Sequence, residues 1–187
     1  MRENTVRATV GGPRPVHVVQ GEHHVTDSPD AVLATILGSC VAACMRDPMA
    51  GVGGMNHFLL PRPAEGSLGA DGVSHGVHAM ELLVNALLAR GARRERLEVK
   101  LFGGAKMIAG LTDIGALNAD FAEDFVRREG LKNVGGSLRG EAGRRVQYWP
   151  LTGRARQAFL AKDALGVFDQ ERRRPAPAPA GGSLELF

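Results

Sequence analysis

Residues 31–48 read Ala31-Val32-Leu33-Ala34-Thr35-Ile36-Leu37-Gly38-Ser39-Cys40-Val41-Ala42-Ala43-Cys44-Met45-Arg46-Asp47-Pro48. Two short apolar runs are split by a glycine-serine turn and closed by a proline turn. Ala31 to Ile36 predicts a strand stopped by Gly38-Ser39, and Val41 to Met45 a second one closed by Arg46-Asp47-Pro48. Val52 to Leu60 is a third apolar run, with His57 inside it and Pro61 and Pro63 ending it. The Gly-rich segment Arg62 to Gly76 is expected to be a surface loop. Further out, Met80, Leu83, Val84, Leu87 and Leu88 recur at helical spacing, and Gly91 follows as a C-cap. Leu97, Val99 and Leu101 alternate as a half-buried strand, and Gly103-Gly104 reads as a hairpin turn. Leu117, Phe121 and Phe125 predict a second amphipathic helix ending at Gly130. Arg145 to Trp149 alternates again and stops at Pro150. Helices among several strands indicate a layered α/β (α+β) domain.

The chain has 187 residues, 44% hydrophobic and 23% charged, which is enough for one well-packed domain. The expected organisation is a flexible N-terminal segment over 1–15, a folded domain over 16–170 and a Pro/Ala/Gly-rich tail over 171–187. That tail ends in Leu184-Glu185-Leu186-Phe187, read either as a terminus folding back or as a tethered docking peptide. No apolar run is long enough to span a membrane, and the N-terminus carries no signal region, so a cytoplasmic location without membrane insertion is expected. Net charge is only +3, and the clusters Arg93-Arg94-Glu95-Arg96 and Arg172-Arg173-Arg174 lack interleaved aromatics. Solvated helix ends explain them better than nucleic-acid binding.

Gly38-Ser39-Cys40 places a thiol at a turn before a regular element, where backbone N–H groups stand open and a neighbour can lower the thiol pKa. His57 is a candidate acid/base partner if its strand lies beside that of Cys40. The competing reading makes both residues ordinary core, since free cysteine is among the most buried residue types. Cys44, deeper in its run, is read as structural. On a strand the two cysteines would be about 13 Å apart, against the roughly 7 Å that a disulfide tolerates. His75-x-x-His78, with His57 or a cysteine, and His23-His24 are the only zinc-like spacings, and no CxxC or HExxH accompanies them. Gly103-Gly104-Ala105-Lys106 lacks the spacing of a phosphate loop.

Leu37-Gly38-Ser39-Cys40-Val41-Ala42 with Gly53-Gly54-Met55-Asn56-His57-Phe58-Leu59-Leu60-Pro61 resembles the signature of CheD, the chemoreceptor glutamine deamidase family. The similarity continues through His78 to Leu83, Lys100 to Ala105, Asn133 to Gly136 and Pro150 to Gly153, covering roughly residues 16 to 155 in order. The resemblance implies a layered α/β sandwich related to the catalytic domains of glutamine-deamidating toxins, and a Cys-His-Thr constellation. Cys40 and His57 match the nucleophile and base. Thr35 is the nearest threonine, although an ungapped match to some relatives would select Ala34. Departures lie in Ile114 to Asn118, where Ala116 and Leu117 replace residues often polar, and in the tail beyond Arg174.

What the resemblance implies for chemistry is a thioester mechanism without metal or cofactor. Cys40 attacks a receptor glutamine, the Gly38-Ser39 turn holds the oxyanion, and His57 handles the proton. The implied substrates are methyl-accepting chemotaxis receptors, to whose clusters the protein would be recruited. An adaptor role toward a CheC-type phosphatase is the alternative function, and esterase action on receptor glutamyl methyl esters a weaker one.

Overall fold

A computed structural model of the chain describes residues 15–61, 70–107 and 113–160. Residues 1–14 and 161–187 lie outside it, so the flexible lead-in, the boundary near 170, Arg172-Arg173-Arg174 and the tail with Leu184 to Phe187 fall outside the described residues.

In chain order the elements are β1 (Val16–His17), β2 (His23–Thr26), β3 (Leu33–Leu37), β4 (Val41–Asp47), β5 (Val52–Asn56), α1 (Ala70–Leu88), β6 (Glu98–Gly103), α2 (Ile114–Arg128), β7 (Lys132–Leu138), β8 (Arg144–Trp149) and β9 (Arg154–Phe159). A short 3-10 turn, Arg94–Arg96, precedes β6. The strands form two sheets, ordered β1-β3-β8-β9 and β2-β5-β4-β6-β7. Pairing is antiparallel except for β1 with β3 and β6 with β7.

Strand β4 shows why the layers stack as they do. Val41, Ala43 and Met45 pack with Leu83, Val84 and Leu87 of α1 and Ala122 and Val126 of α2. Ala42 and Cys44 on the opposite face pack with Leu33, Leu37, Val146 and Tyr148 of the other sheet. A strand covered on both faces loses the polar alternation of a surface strand and reads as an unbroken apolar run. The result is three layers: the four-stranded sheet, the five-stranded sheet, then the two helices, an α+β sandwich with mixed sheets.

Three expectations need correction. The loop predicted over Arg62 to Gly76 does not hold from Ala70 on, where α1 begins, and its part over 62–69 lies outside the described residues. Gly76 sits in that helix where a Cβ would come within 2.6 Å of Leu60 and of the Phe121 ring, so it marks close packing of α1 on α2 rather than a loop. Gly103-Gly104 is not a hairpin turn, since α2 separates β6 from its parallel neighbour β7. Both glycines have positive φ, 108° and 66°, and turn the chain out of the sheet alongside Cys40. The arginines of 93–96 are more than solvated ends: Arg94 pairs with Glu81 and Glu129, and Arg96 with the buried Asp47.

Candidate active site

The turn between β3 and β4 carries the chain from one sheet to the other, and Cys40 stands at that crossing. Its backbone is held on the helix side. Gly104 N–H donates to the Cys40 carbonyl at 2.8 Å, Ala105 N–H to the Gly38 carbonyl at 2.8 Å, and Asn118 Nδ2 to the Ser39 carbonyl at 2.9 Å. Asn118 is fully buried and also accepts from Leu60 N–H at 2.8 Å, so one amide side chain from α2 ties the segments bearing Cys40 and His57. With three successive carbonyls engaged, the Ser39 N–H has no partner among the described residues, which suits a donor kept for a developing negative charge.

Strands β4 and β5 are antiparallel neighbours, as the Cys40–His57 pairing requires. Their register runs from Asp47↔Val52 to Cys44↔Met55, and a further bridge joins Val41 to Phe58. That register sets Ala42 opposite His57 and Cys40 two pairs further along, level with Leu59. Cys40 and His57 therefore share one face of the sheet in the diagonal relation that lets side chains reach each other. This face looks toward the other sheet, and Cys40, half-buried, packs on the edge of the core between them.

The other sheet supplies the third group. Thr35, 1% exposed on β3, donates its hydroxyl to the Val18 carbonyl at 2.7 Å and lies 2.9 Å from His57 Nδ1. A hydroxyl has one proton. With that proton committed to Val18, its oxygen accepts from His57, so Nδ1 carries the ring hydrogen. The Val18 carbonyl, 3.4 Å from Nδ1, fits the same tautomer. Nε2 is then the bare, basic nitrogen, and it is buried with no hydrogen-bond partner among the described residues. Burial holds the imidazole down to about 4 from its usual 6.5, against the opposing pull of the Val18 carbonyl, so the ring is neutral at physiological pH. Ala34 points the other way along β3, so of the two candidates Thr35 is the one within hydrogen-bond reach of the His57 ring.

Cys44 is also a thiol, but it is 1% exposed and burial raises its pKa far above the normal range, with only Lys100 opposing. An inert core thiol is what such surroundings make. A cavity of about 280 Å³ at the far end of β4 is lined by Cys44, Arg46, Lys100 and Arg154 among others, and includes none of Cys40, His57 or Thr35. His75 and His78 are exposed on α1, and among the described residues no group of three His, Cys, Asp or Glu side chains converges as metal ligands do.

Two participants had little signal in the sequence. Val18 acts through its carbonyl, which any residue possesses. Asn118 closes the segment singled out for its departures at Ala116 and Leu117, and nothing local says that it reaches Ser39, 79 positions away.

Comparison with known proteins identifies the family. The family model described as CheD chemotactic sensory transduction matches residues 59–158, just beyond His57. A protein of Acidiphilium cryptum named probable chemoreceptor glutamine deamidase CheD is 59% identical over 179 residues, covering 93% of this chain and 94% of its own. Proteins of the same name from Caulobacter vibrioides (strain NA1000 / CB15N) and Rhizobium meliloti (strain 1021) are 55% and 54% identical, covering 92% and 96% of this chain and 92% and 99% of theirs. These alignments are long enough to take in Thr35, Cys40 and His57. The chain belongs to the CheD family.

Proposed function

We propose that this chain is a protein-glutamine deamidase that converts glutamines on the cytoplasmic helical bundle of methyl-accepting chemotaxis receptors to glutamates. Cys40 is the nucleophile, His57 the acid/base and Thr35 the residue that orients the ring. The observation that carries this reading is the Val18–Thr35–His57 chain of hydrogen bonds, which leaves a bare Nε2 on the sheet face that Cys40 shares.

The reaction follows from those positions. His57 Nε2 takes the Cys40 proton as sulfur attacks the side-chain amide carbon of a glutamine. The imidazolium forms beside a negative charge, which offsets the burial that keeps the ring neutral at rest. The Ser39 N–H, with the Gly38 turn shaping its approach, receives the oxyanion. His57 then gives its proton to the departing nitrogen, ammonia leaves, and a thioester remains. Neutral His57 next takes a proton from water, whose oxygen displaces sulfur and completes the glutamate. Each turnover adds one negative charge to the receptor surface.

Incubating the purified chain with a receptor cytoplasmic fragment and mapping its peptides by mass spectrometry tests the proposal. Glutamine-to-glutamate shifts at defined positions are expected, and the protein should colocalise with receptor clusters in cells. A chain that left every glutamine intact yet bound a CheC-type phosphatase would be an adaptor instead.

A further inference from the structure

We propose that the chain is its own substrate at Gln20: Cys40 deamidates this side chain within the same molecule, turning the carboxamide into a carboxylate. The inference rests on the deamidase reading above and extends it to a modification site in the protein itself.

The starting observation is chemical. The side-chain oxygen of Gln20 lies 3.7 Å from Cys40 Sγ, with the thiol as donor. The group set against the nucleophile is thus a primary carboxamide, the functional group on which the enzyme would act.

The segment bearing Gln20 is held there from both sides. Before it, Val18 N–H donates to the Ala34 carbonyl at 2.9 Å, and the Val18 carbonyl accepts from Thr35. After it, Gly21 N–H donates to the His57 carbonyl at 2.8 Å, and His57 N–H to the Glu22 carbonyl at 3.0 Å. The turn closes on itself through Glu22 N–H and the Val19 carbonyl at 3.0 Å, with Gly21 at φ 88° making the reversal. The backbone that carries Gln20 is therefore fastened to the strand of Thr35 and to His57 itself. The Gln20 side chain is exposed, and its end already touches the sulfur.

Tethering makes this amide a favoured target. A well-oriented intramolecular group acts as if present at roughly 10⁵ M or more, far above any receptor concentration. The step balances without an added reagent beyond water. Sulfur bonds to Cδ of Gln20, the Cδ–Nε2 bond breaks as His57 protonates the nitrogen, and ammonia departs. Water oxygen then bonds to Cδ as the S–Cδ bond breaks, returning the thiol and leaving a carboxylate. That carboxylate beside Cys40 disfavours the thiolate by like-charge repulsion. Self-conversion should therefore slow the enzyme on its receptor.

The test uses the full chain, wild type and Cys40→Ala, purified rapidly, held at neutral pH and digested at intervals. Mass spectrometry reads residue 20, and a receptor fragment is assayed with the same preparations. Expected is conversion of Gln20 in the wild type at a rate unchanged by dilution, roughly a hundredfold or more above the spontaneous background set by Cys40→Ala. Wild-type enzyme mixed with Cys40→Ala should leave the latter's Gln20 intact, and Gln20→Glu should deamidate the receptor more slowly than fresh wild type. Gln20 persisting in a wild-type preparation that converts receptor glutamines overturns the inference and leaves the deamidase reading standing. Conversion of Gln20 in the Cys40→Ala partner overturns its intramolecular character. If neither Gln20 nor any receptor glutamine is converted, both readings fall.

Discussion

Thr35 Oγ1 and His57 Nδ1 meet at 2.9 Å across the gap between the two sheets, joining strands that are neighbours in neither. Thr35 is in turn fixed by the Val18 carbonyl, so three separate segments determine which nitrogen of one imidazole is basic.

Replacing Thr35 by Val keeps the shape and removes the acceptor. The buried Nδ1–H is left with only the longer contact to Val18. A lost buried hydrogen bond costs about 1–3 kcal/mol, or roughly five- to 150-fold in rate if fully expressed in the transition state. Steady-state kinetics should place the loss in kcat more than in KM, and Thr35→Ser, which retains the hydroxyl, should restore most of it. Equal kcat in Thr35→Val and wild type would remove Thr35 from the mechanism.

Acid should weaken the fold through His57. Its folded value of about 4 lies below the ordinary 6.5, so between these pH values the unfolded chain binds a proton that the folded chain refuses. Stability from this group is complete above 6.5 and is lost as pH falls toward 4, by about 3 kcal/mol in all. Urea unfolding measured across that window should show a slope that His57→Gln flattens. The same slope in both proteins would mean that the ring is not the group responsible.

Asp47 is the structural counterpart, buried at the β4–β5 turn. Burial alone would raise its carboxyl, but the bonds from Arg93 N–H, Arg96, Ala50 N–H and Met49 N–H outweigh it and hold the group at about 2. Asp47→Ala strands the Arg96 guanidinium and three N–H groups, and should cost about 3–5 kcal/mol. Thermal denaturation would register this as a large fall in midpoint, and an unchanged midpoint would contradict the account of the turn.

Gly103 carries the sheet up to the nucleophile. At φ 108° a side chain is strained, and an added Cβ would overlap the Cys40 carbonyl oxygen. Gly103→Ala should lower both stability and activity, whereas Gly51→Ala, whose Cβ meets nothing nearby though φ is also positive, should leave activity intact. Paired melting and deamidation assays separate the two.

The sequence made the centre of this molecule readable and left its margins obscure, for one physical reason. Strands β3, β4, β5, β6 and β8 lie inside their sheets and bury at least one face, so each stands out as an apolar run or an alternation. The four strands without such a signal, β1, β2, β7 and β9, are the four sheet edges. Edge strands face water and carry polar or glycine residues, as in Lys132-Asn133-Val134-Gly135-Gly136 and Arg154-Ala155-Arg156-Gln157. The site divides similarly. Cys40 and His57 announced themselves by residue type and turn chemistry. That Thr35 and not Ala34 faces the ring needed the side-chain direction along β3, and Val18, Gln20 and Asn118 needed the fold itself.

The central claim is that one sulfur carries the reaction, and the rate of receptor deamidation by Cys40→Ser tests it most directly. The account predicts a fall of at least about a thousandfold with the thermal midpoint preserved, because a hydroxyl replaces the thiol without disturbing the turn. Conversion of receptor glutamines by that variant at the wild-type rate would contradict it.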